Sequence, residues 1–360
     1  MATAYALLNG RLQMKLGIQL GYWGLGLTGA DQLAIVQEAE RLGYDSVFAA
    51  EAYGSDSVSI LGWIAGQTTT IRIGSAIMQM PARSAAMTAM TAATLDNLTE
   101  GRFILGLGTS GPQVAEGWHG QRFGKQLKRT REYVDVVRQA LRRERLEYHG
   151  ETIDLPLPDG PGKALKLTIA PVQDEIPIYI AAIGPNNTRL VGEIGDGLLP
   201  MMFSPEHADT ALESLWEGVE KAGRRRSDVA VCPSTTLHIG EDPDGAAEGM
   251  MRGMAALYVG GMGSREKNFY NAAVSRYGFA DAAKEVQDLY LDGKKLEAMG
   301  AVPDELLRKL NLFGTRDEVT ERLRVFQDAG VDTIVVTPAT VTRDGRIAQL
   351  RELAAAAEAL

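Results

Sequence analysis

Short apolar runs alternate with helical patterns along most of this chain, and that rhythm restricts its fold more than any other feature. Strand-like runs at 16–20, 46–50, 71–78, 103–107, 176–181, 197–201, 230–237 and 333–336 are interleaved with helical patterns at 31–42, 58–67, 85–98, 130–141, 187–194 and 205–222. Strands separated by helices pair in parallel, because a parallel connection needs a crossover long enough to hold one. Eight or so strands in this order favour a closed TIM (β/α)8 barrel over an open sheet. The first helix shows the logic residue by residue. Leu33, Val36, Ala39 and Leu42 recur at helical spacing, Asp31, Gln37, Glu38 and Arg41 lie off that stripe, and Gly43 supplies a left-handed stop.

The 360 residues exceed the ~250 of a minimal barrel, leaving room for insertions. Two stand out: a Pro/Gly-rich loop at 155–162, and a longer segment at about 245–310 that reads as a helical insertion over the C-terminal mouth of the barrel. No low-complexity linker sets it apart, so residues 14–360 read as one domain. Residues 1–13 lack a basic start followed by an apolar core and read as a tail, an upstream start or an appended remnant. Ser204-Pro205-Glu206 reads as a helix cap followed by an N1 proline, and Thr315-Arg-Asp-Glu318 as a capping box.

A net charge of −9 argues against general nucleic-acid or anionic-membrane binding, so an anionic ligand must be held by local groups. No apolar run approaches the ~20 residues that cross a bilayer. The lone Cys232 has no partner for an internal disulfide, which fits a cytoplasmic protein, and it reads as a buried structural thiol. Neither HExxH, CxxC nor a cluster of Asp, Glu and His residues is present, so no metal site is expected, and a GxSxG nucleophile elbow is missing too. Gly106-Leu-Gly-Thr-Ser-Gly111 matches GxGxxG literally, but the acidic residue of a dinucleotide fold is missing ~20 positions on, so the match is a coincidence of composition.

In a parallel barrel the chemistry collects where strands end. The most ligand-like stretch there is 101–120, in which an apolar strand runs into a loop whose Gly106, Gly108 and Gly111 remove side chains from the path of a flat or phosphorylated ligand, or serve a tight turn. Glu51 ends another apolar strand, where a carboxylate must either touch a polar ligand or pair with a cation such as Arg83. Gly184-Pro-Asn-Asn187 precedes a helix whose free N–H groups suit an anion, and equally suit an ordinary turn. His119 stands at a strand-end loop beside Trp118, and histidine is the residue type best suited to acid/base work near neutral pH. Tyr22, Trp23, Tyr53, Trp118, Phe269 and Tyr270 suggest an apolar or conjugated organic substrate.

Four strings, Leu16-Gly-Ile-Gln-Leu-Gly-Tyr-Trp23, Val47-Phe-Ala-Ala-Glu-Ala-Tyr53, Gly101-Arg-Phe-Ile-Leu-Gly-Leu-Gly-Thr-Ser-Gly111 and Pro177-Ile-Tyr-Ile-Ala-Ala-Ile-Gly-Pro185, together resemble the bacterial luciferase-like superfamily. Phe313-Gly-Thr-Arg-Asp-Glu-Val319 and Gly330-Val-Asp-Thr-Ile-Val-Val336 are similar to the close of that barrel, so the likeness runs from Met14 nearly to the end. The string from Ser110 to Gly120 and the segment 260–291 resemble the branch of coenzyme F420-dependent oxidoreductases.

That resemblance implies hydride transfer between a deazaflavin and an organic substrate, with FMN as the alternative cofactor. It also implies a homodimer. A bulge ending the third strand, often with a non-proline cis peptide, would back the central ring; by position this is Ala76–Ile77, flanked by Met78 and Gln79. Gln19, Glu51, Thr109, Ser110, Gly111 and Ala182 would also meet the cofactor, and Gly184, Pro185 and Asn186 would receive its phosphate-bearing tail. Sugar-phosphate and alcohol dehydrogenases of the superfamily carry a histidine directly after the acidic residue of strand two, where this chain has Ala52. Tyr53, Glu116 and His119 are then the candidates for proton handling. Two rivals remain: an FMN-dependent monooxygenase on the same fold, and a non-catalytic flavin- or deazaflavin-binding protein.

Overall fold

The computed structural model describes residues 14–360 apart from 22, 24, 25 and 264, so the N-terminal tail and Tyr22 lie outside the described residues. Its strands are β1 (Lys15–Gln19), β2 (Ser46–Ala49), β3 (Arg72–Ser75), β4 (Met78–Gln79), β5 (Phe103–Gly108), β6 (Tyr148–His149), β7 (Asp154–Leu155), β8 (Ile178–Ala181), β9 (Gly197–Leu199), β10 (Ala230–Val231), β11 (Ser234–Ile239), β12 (Leu312–Gly314) and β13 (Thr333–Pro338). Apart from the antiparallel β6–β7 pair, neighbouring strands run parallel.

β10 and β11 are two halves of one strand, interrupted at Cys232-Pro233 because proline has no N–H to give a ladder. β10 pairs with β9, β11 with β13, and β13 with β1, so the strands close on themselves as a barrel. Across the break, Cys232 N–H still donates to Leu198 O at 2.9 Å and Pro233 O accepts from Val335 N–H at 2.9 Å.

The expected helices form within a few residues of their sequence patterns, and capping chemistry sets their ends. Helix Gly29–Arg41 opens on a Thr28/Asp31 capping box and stops at Gly43, which takes φ +78°. Thr315 and Glu318 form the second capping box as read. Ser204 does occupy a helix start, but it makes no side-chain cap; its hydroxyl instead meets Glu206 and His207 Nδ1, each at 2.9 Å.

Two apolar layers follow. The larger lies between barrel and helices; the smaller fills the barrel interior with Phe48, Ile104, Tyr179, Leu199, Cys232 and Val335, capped by Ala76 and Ile77. Cys232 is wholly buried there, and burial pushes its thiol up to about 12, which matches the structural thiol expected. Helices Pro185–Ile194 and Ala208–Lys221 pack closely because Gly192 and Gly218 present backbone to one another: a Cβ at Gly192 would lie 2.1 Å from Leu215 O, and one at Gly218 2.0 Å from Arg189 O. The segment expected as an insertion forms helices from Ala246 to Leu310 around its own apolar cluster, which joins Met202, beyond β9, and Ala339, beyond β13. It therefore sits at the C-terminal end of the barrel.

Candidate active site at the barrel mouth

The site is built around a break in the third strand. Gly74 is level with Ile104, but Met78 is level with Leu107, so one extra residue has entered between β3 and β4. Ser75 replaces the missing ladder: its hydroxyl donates to Gly106 O at 2.8 Å and accepts from Gly106 N–H at 3.0 Å. The Ala76–Ile77 peptide is cis, at the position expected.

Side chains from neighbouring strand ends hold the bulge in place. Ala76 N–H donates to Ala49 O at 2.9 Å, and Gln19 Nε2 donates to Ala76 O at 3.3 Å. Glu51 Oε2 accepts from Gln79 N–H at 3.0 Å, while Gln79 Nε2 donates to Ala52 O at 2.6 Å. Of the two fates open to Glu51, the structure adopts the cation pair. Arg83 binds it through both nitrogens at 2.7 and 2.8 Å, with the two side chains 14% and 7% exposed for Arg83 and Glu51 respectively. The Glu51 carboxylate is the leading reason that the Arg83 guanidinium is held more firmly protonated than usual. Glu51 is thus a clamp on the bulge.

Other expectations change as well. Gly106 and Gly108 are glycines because the bulge presses against them: a Cβ at Gly106 would stand 1.7 Å from Ser75 O, and one at Gly108 2.9 Å from the Ile77 side chain. Packing within the protein, and not ligand approach, requires them. Met78 is fully buried in the layer behind the barrel and Ala182 is also buried there, so neither side chain is placed to meet a ligand. Trp23 packs edge-on against Trp63 at 5.1 Å and is a wall of the structure first.

What remains open at the mouth is Gln19, Ala76, Ile77, Thr109, Ser110 and Gly111, all half-buried. Ser110 takes φ +58°, a left-handed turn that carries the end of β5 into the short helix Pro112–Gly117. The adjoining strand repeats the Gly-Pro arrangement: Gly184 caps helix Pro185–Ile194 without a side-chain hydrogen bond, leaving first-turn N–H groups for a ligand. A side chain at Gly184 would come 3.9 Å from Phe269, so the insertion overlooks this helix start.

The proton-handling candidates differ sharply. Glu116 is exposed and its Oε1 accepts from Phe123 N–H at 2.9 Å, which folds its own loop. Tyr53 and Trp118 are exposed at 68% and 67%. His119 is half-buried with Nε2 buried and unpartnered. Sequence reasoning placed Gln79 beside the bulge but missed its part in pinning it, and missed Ser75 as the clip; both are polar side chains in a strand-end run where packing wants none, which was the available signal. Among the described residues no group of three or more His, Cys, Asp or Glu side chains is arranged to hold a metal ion.

A parallel barrel with a clamped third-strand bulge, and with two helix starts that lack side-chain caps at its mouth, defines a small-molecule ligand site at the C-terminal end of the barrel. The chain belongs to the luciferase-like monooxygenase family, whose profile matches residues 2–333. It is 43% identical over 349 residues to a Mycobacterium tuberculosis protein whose name assigns it provisionally to the coenzyme F420-dependent oxidoreductases, covering 95% of this chain and 98% of that one. It is 29% identical over 306 residues to 5,10-methylenetetrahydromethanopterin reductase of Archaeoglobus fulgidus, covering 83% and 87% respectively. The solved coenzyme F420-dependent tetrahydromethanopterin reductase of Methanopyrus kandleri shares the fold, with a TM-score of 0.79 at 23% identity over 94% of this chain and 97% of that chain.

Proposed function

We propose that this protein is a coenzyme F420-dependent oxidoreductase acting on a small organic substrate at the C-terminal mouth of its barrel. The observation that carries the site is the bulge 75–79, pinned from four sides, with the Oε1 atoms of Gln19 and Gln79 buried there without a partner. A buried acceptor left unmatched is costly, and a ring N–H or hydroxyl arriving beside it repays that cost. The names of the full-length relatives favour a deazaflavin over FMN.

The residues present fit such a group. Gln19, Ala76 and Ile77 would back its ring, Thr109, Ser110 and Gly111 its edge, and Gly184, Pro185 and Asn186 its phosphate. Glu51 acts through the bulge it holds. When bound, the deazaflavin supplies the two-electron carrier that gives or takes a hydride. The protein's own part is to fix that ring against Ala76–Ile77, to keep water out under the aromatic rim of Trp118 and Phe269, and to hold a proton near the substrate. His119 serves the last role best, since its ring nitrogen is buried and free, with Tyr53 and Glu116 behind it. Ala52 offers no base beside Glu51, so the chain does not follow the route of relatives with histidine there.

Residues 14–360 act as one domain in this reading, in the cytoplasm. It works as a homodimer through the adjoining helices Ser57–Ala65 and Ala85–Leu98, whose Trp63, Met87, Met90 and Leu98 are exposed. Fluorescence titration of the purified protein is expected to give tight binding of F420 and negligible binding of FMN. The reverse would make it an FMN-dependent monooxygenase, readable as oxygen uptake. With F420 and a working substrate, His119→Asn is expected to lower kcat about 10²-fold or more with cofactor affinity kept; an unchanged kcat would return the role to Tyr53 or Glu116.

A further inference from the structure

Although the chain carries a net charge of −9, a basic hollow begins at the helix start assigned above to the cofactor phosphate. A cavity of about 290 Å³ is lined by Lys128, Arg131, Asn186, Arg189, Glu193 and Lys221, along with two leucines. A second, of about 360 Å³, shares Leu127 and Lys128 with it and adds Lys125 and Glu151. Five cations thus line a continuous trough that holds two carboxylates, in a chain whose net charge is −9. Each of those carboxylates is already shared. Glu193 pairs with Arg131 and, at 2.8 Å, with Lys221; Glu151 pairs with Lys125 and Lys128. Arg189 pairs with Glu217 and also donates to Asn186 Oδ1 at 3.1 Å. One carboxylate between two cations leaves each cation with unspent charge for an arriving anion.

We infer that this trough binds an extended oligocarboxylate chain that continues from the cofactor's phosphate, the glutamyl tail of a deazaflavin cofactor. The inference rests on the F420 reading. Its geometric basis is continuity: Asn186 belongs both to the first turn of helix Pro185–Ile194, where the phosphate is placed, and to the wall of the trough. A chain leaving the phosphate therefore meets Arg189 one turn further on, then the Arg131 and Lys221 pair around Glu193, or turns towards Lys128 and Lys125. The spacing suits successive carboxylates, each replacing a shared contact with an unshared one.

The test is a fluorescence titration with three probes: the deazaflavin nucleoside without phosphate or glutamates, F420 with two glutamates, and F420 with six. At low salt the six-glutamate form is expected to bind about fivefold to thirtyfold more tightly than the two-glutamate form, the sum of two or three partly exposed ion pairs. That preference should fade at high salt. The double variants Lys128→Gln/Arg131→Gln and Arg189→Gln/Lys221→Gln are expected to erase it while leaving nucleoside affinity unchanged, which also shows that they fold. Equal affinity for both tails in the unaltered protein at low salt would overturn the inference and leave the F420 reading standing. A variant that weakens the nucleoside as much as the long-tailed cofactor would overturn it too, by showing a general structural effect. Failure of all three probes to bind would remove the F420 reading and the tail site with it.

Discussion

Gly106→Ala is expected to be the most damaging single methyl in the barrel, costing about 3 kcal/mol or more and lowering cofactor affinity at least tenfold. The new Cβ would lie 1.7 Å from the Ser75 carbonyl oxygen, a backbone atom with no freedom to swing aside. Overpacking ordinarily costs about 1–3 kcal/mol because side chains yield; here β3 or β5 has to move, and with it the Ser75 hydroxyl that makes both bonds to Gly106. The bulge then loses the clip at its start. Gly108→Ala is the comparison, because its Cβ would meet the flexible end of Ile77 at 2.9 Å, and about 1 kcal/mol is expected. Urea unfolding and F420 titration of the two variants check this. A Gly106→Ala protein with ordinary stability and affinity would show that the strand break is not held by that contact.

The contrast explains how much of this protein was legible in its sequence. The barrel was, because helical stripes such as Leu33, Val36 and Ala39, and the stops at residues like Gly43, are local signals that tertiary packing had no reason to override. The split of the seventh barrel strand at Cys232-Pro233 was less visible, since a proline in an apolar run marks a break without telling which neighbour each half joins. Within the site, the resemblance to the luciferase-like superfamily pointed correctly to the Ala76–Ile77 bulge. The direction in which side chains face was not legible. Met78 and Ala182 lie among mouth residues in sequence, yet point into the layer behind the barrel, because strand pleating turns alternate residues to opposite faces and the bulge shifts that phase by one. The glycines of 106–111 were read as serving either a ligand or a tight turn, when two of them serve contacts from another strand, information no single segment contains. Charge told a similar story: a chain of net −9 gives no hint that Lys128, Arg131, Arg189 and Lys221, spread over three helices, share one wall.

Glu51 offers the sharpest separation between holding the site and touching the cofactor. Glu51→Ala is expected to cost about 2–4 kcal/mol, since it strands a largely buried Arg83 and frees the Gln79 N–H at once. The loss stays below the ~5 kcal/mol extreme of such pairs because Asp56 lies 3.6 Å from Arg83 and takes up part of the charge. Removing the cation as well, in Glu51→Ala/Arg83→Met, is expected to recover roughly 1–3 kcal/mol, the coupling usual for residues in contact. Cofactor affinity should not recover with it, because Gln79 N–H still lacks the acceptor that positions the bulge. Glu51→Gln keeps an acceptor for that N–H while discarding the charge, so it should retain more affinity than the double variant despite a weaker bond to Arg83. If stability and F420 affinity rose and fell together across all three variants, the carboxylate would be a plain structural counter-ion; if affinity instead followed the presence of an acceptor at position 51, the bulge is the element through which Glu51 shapes the site.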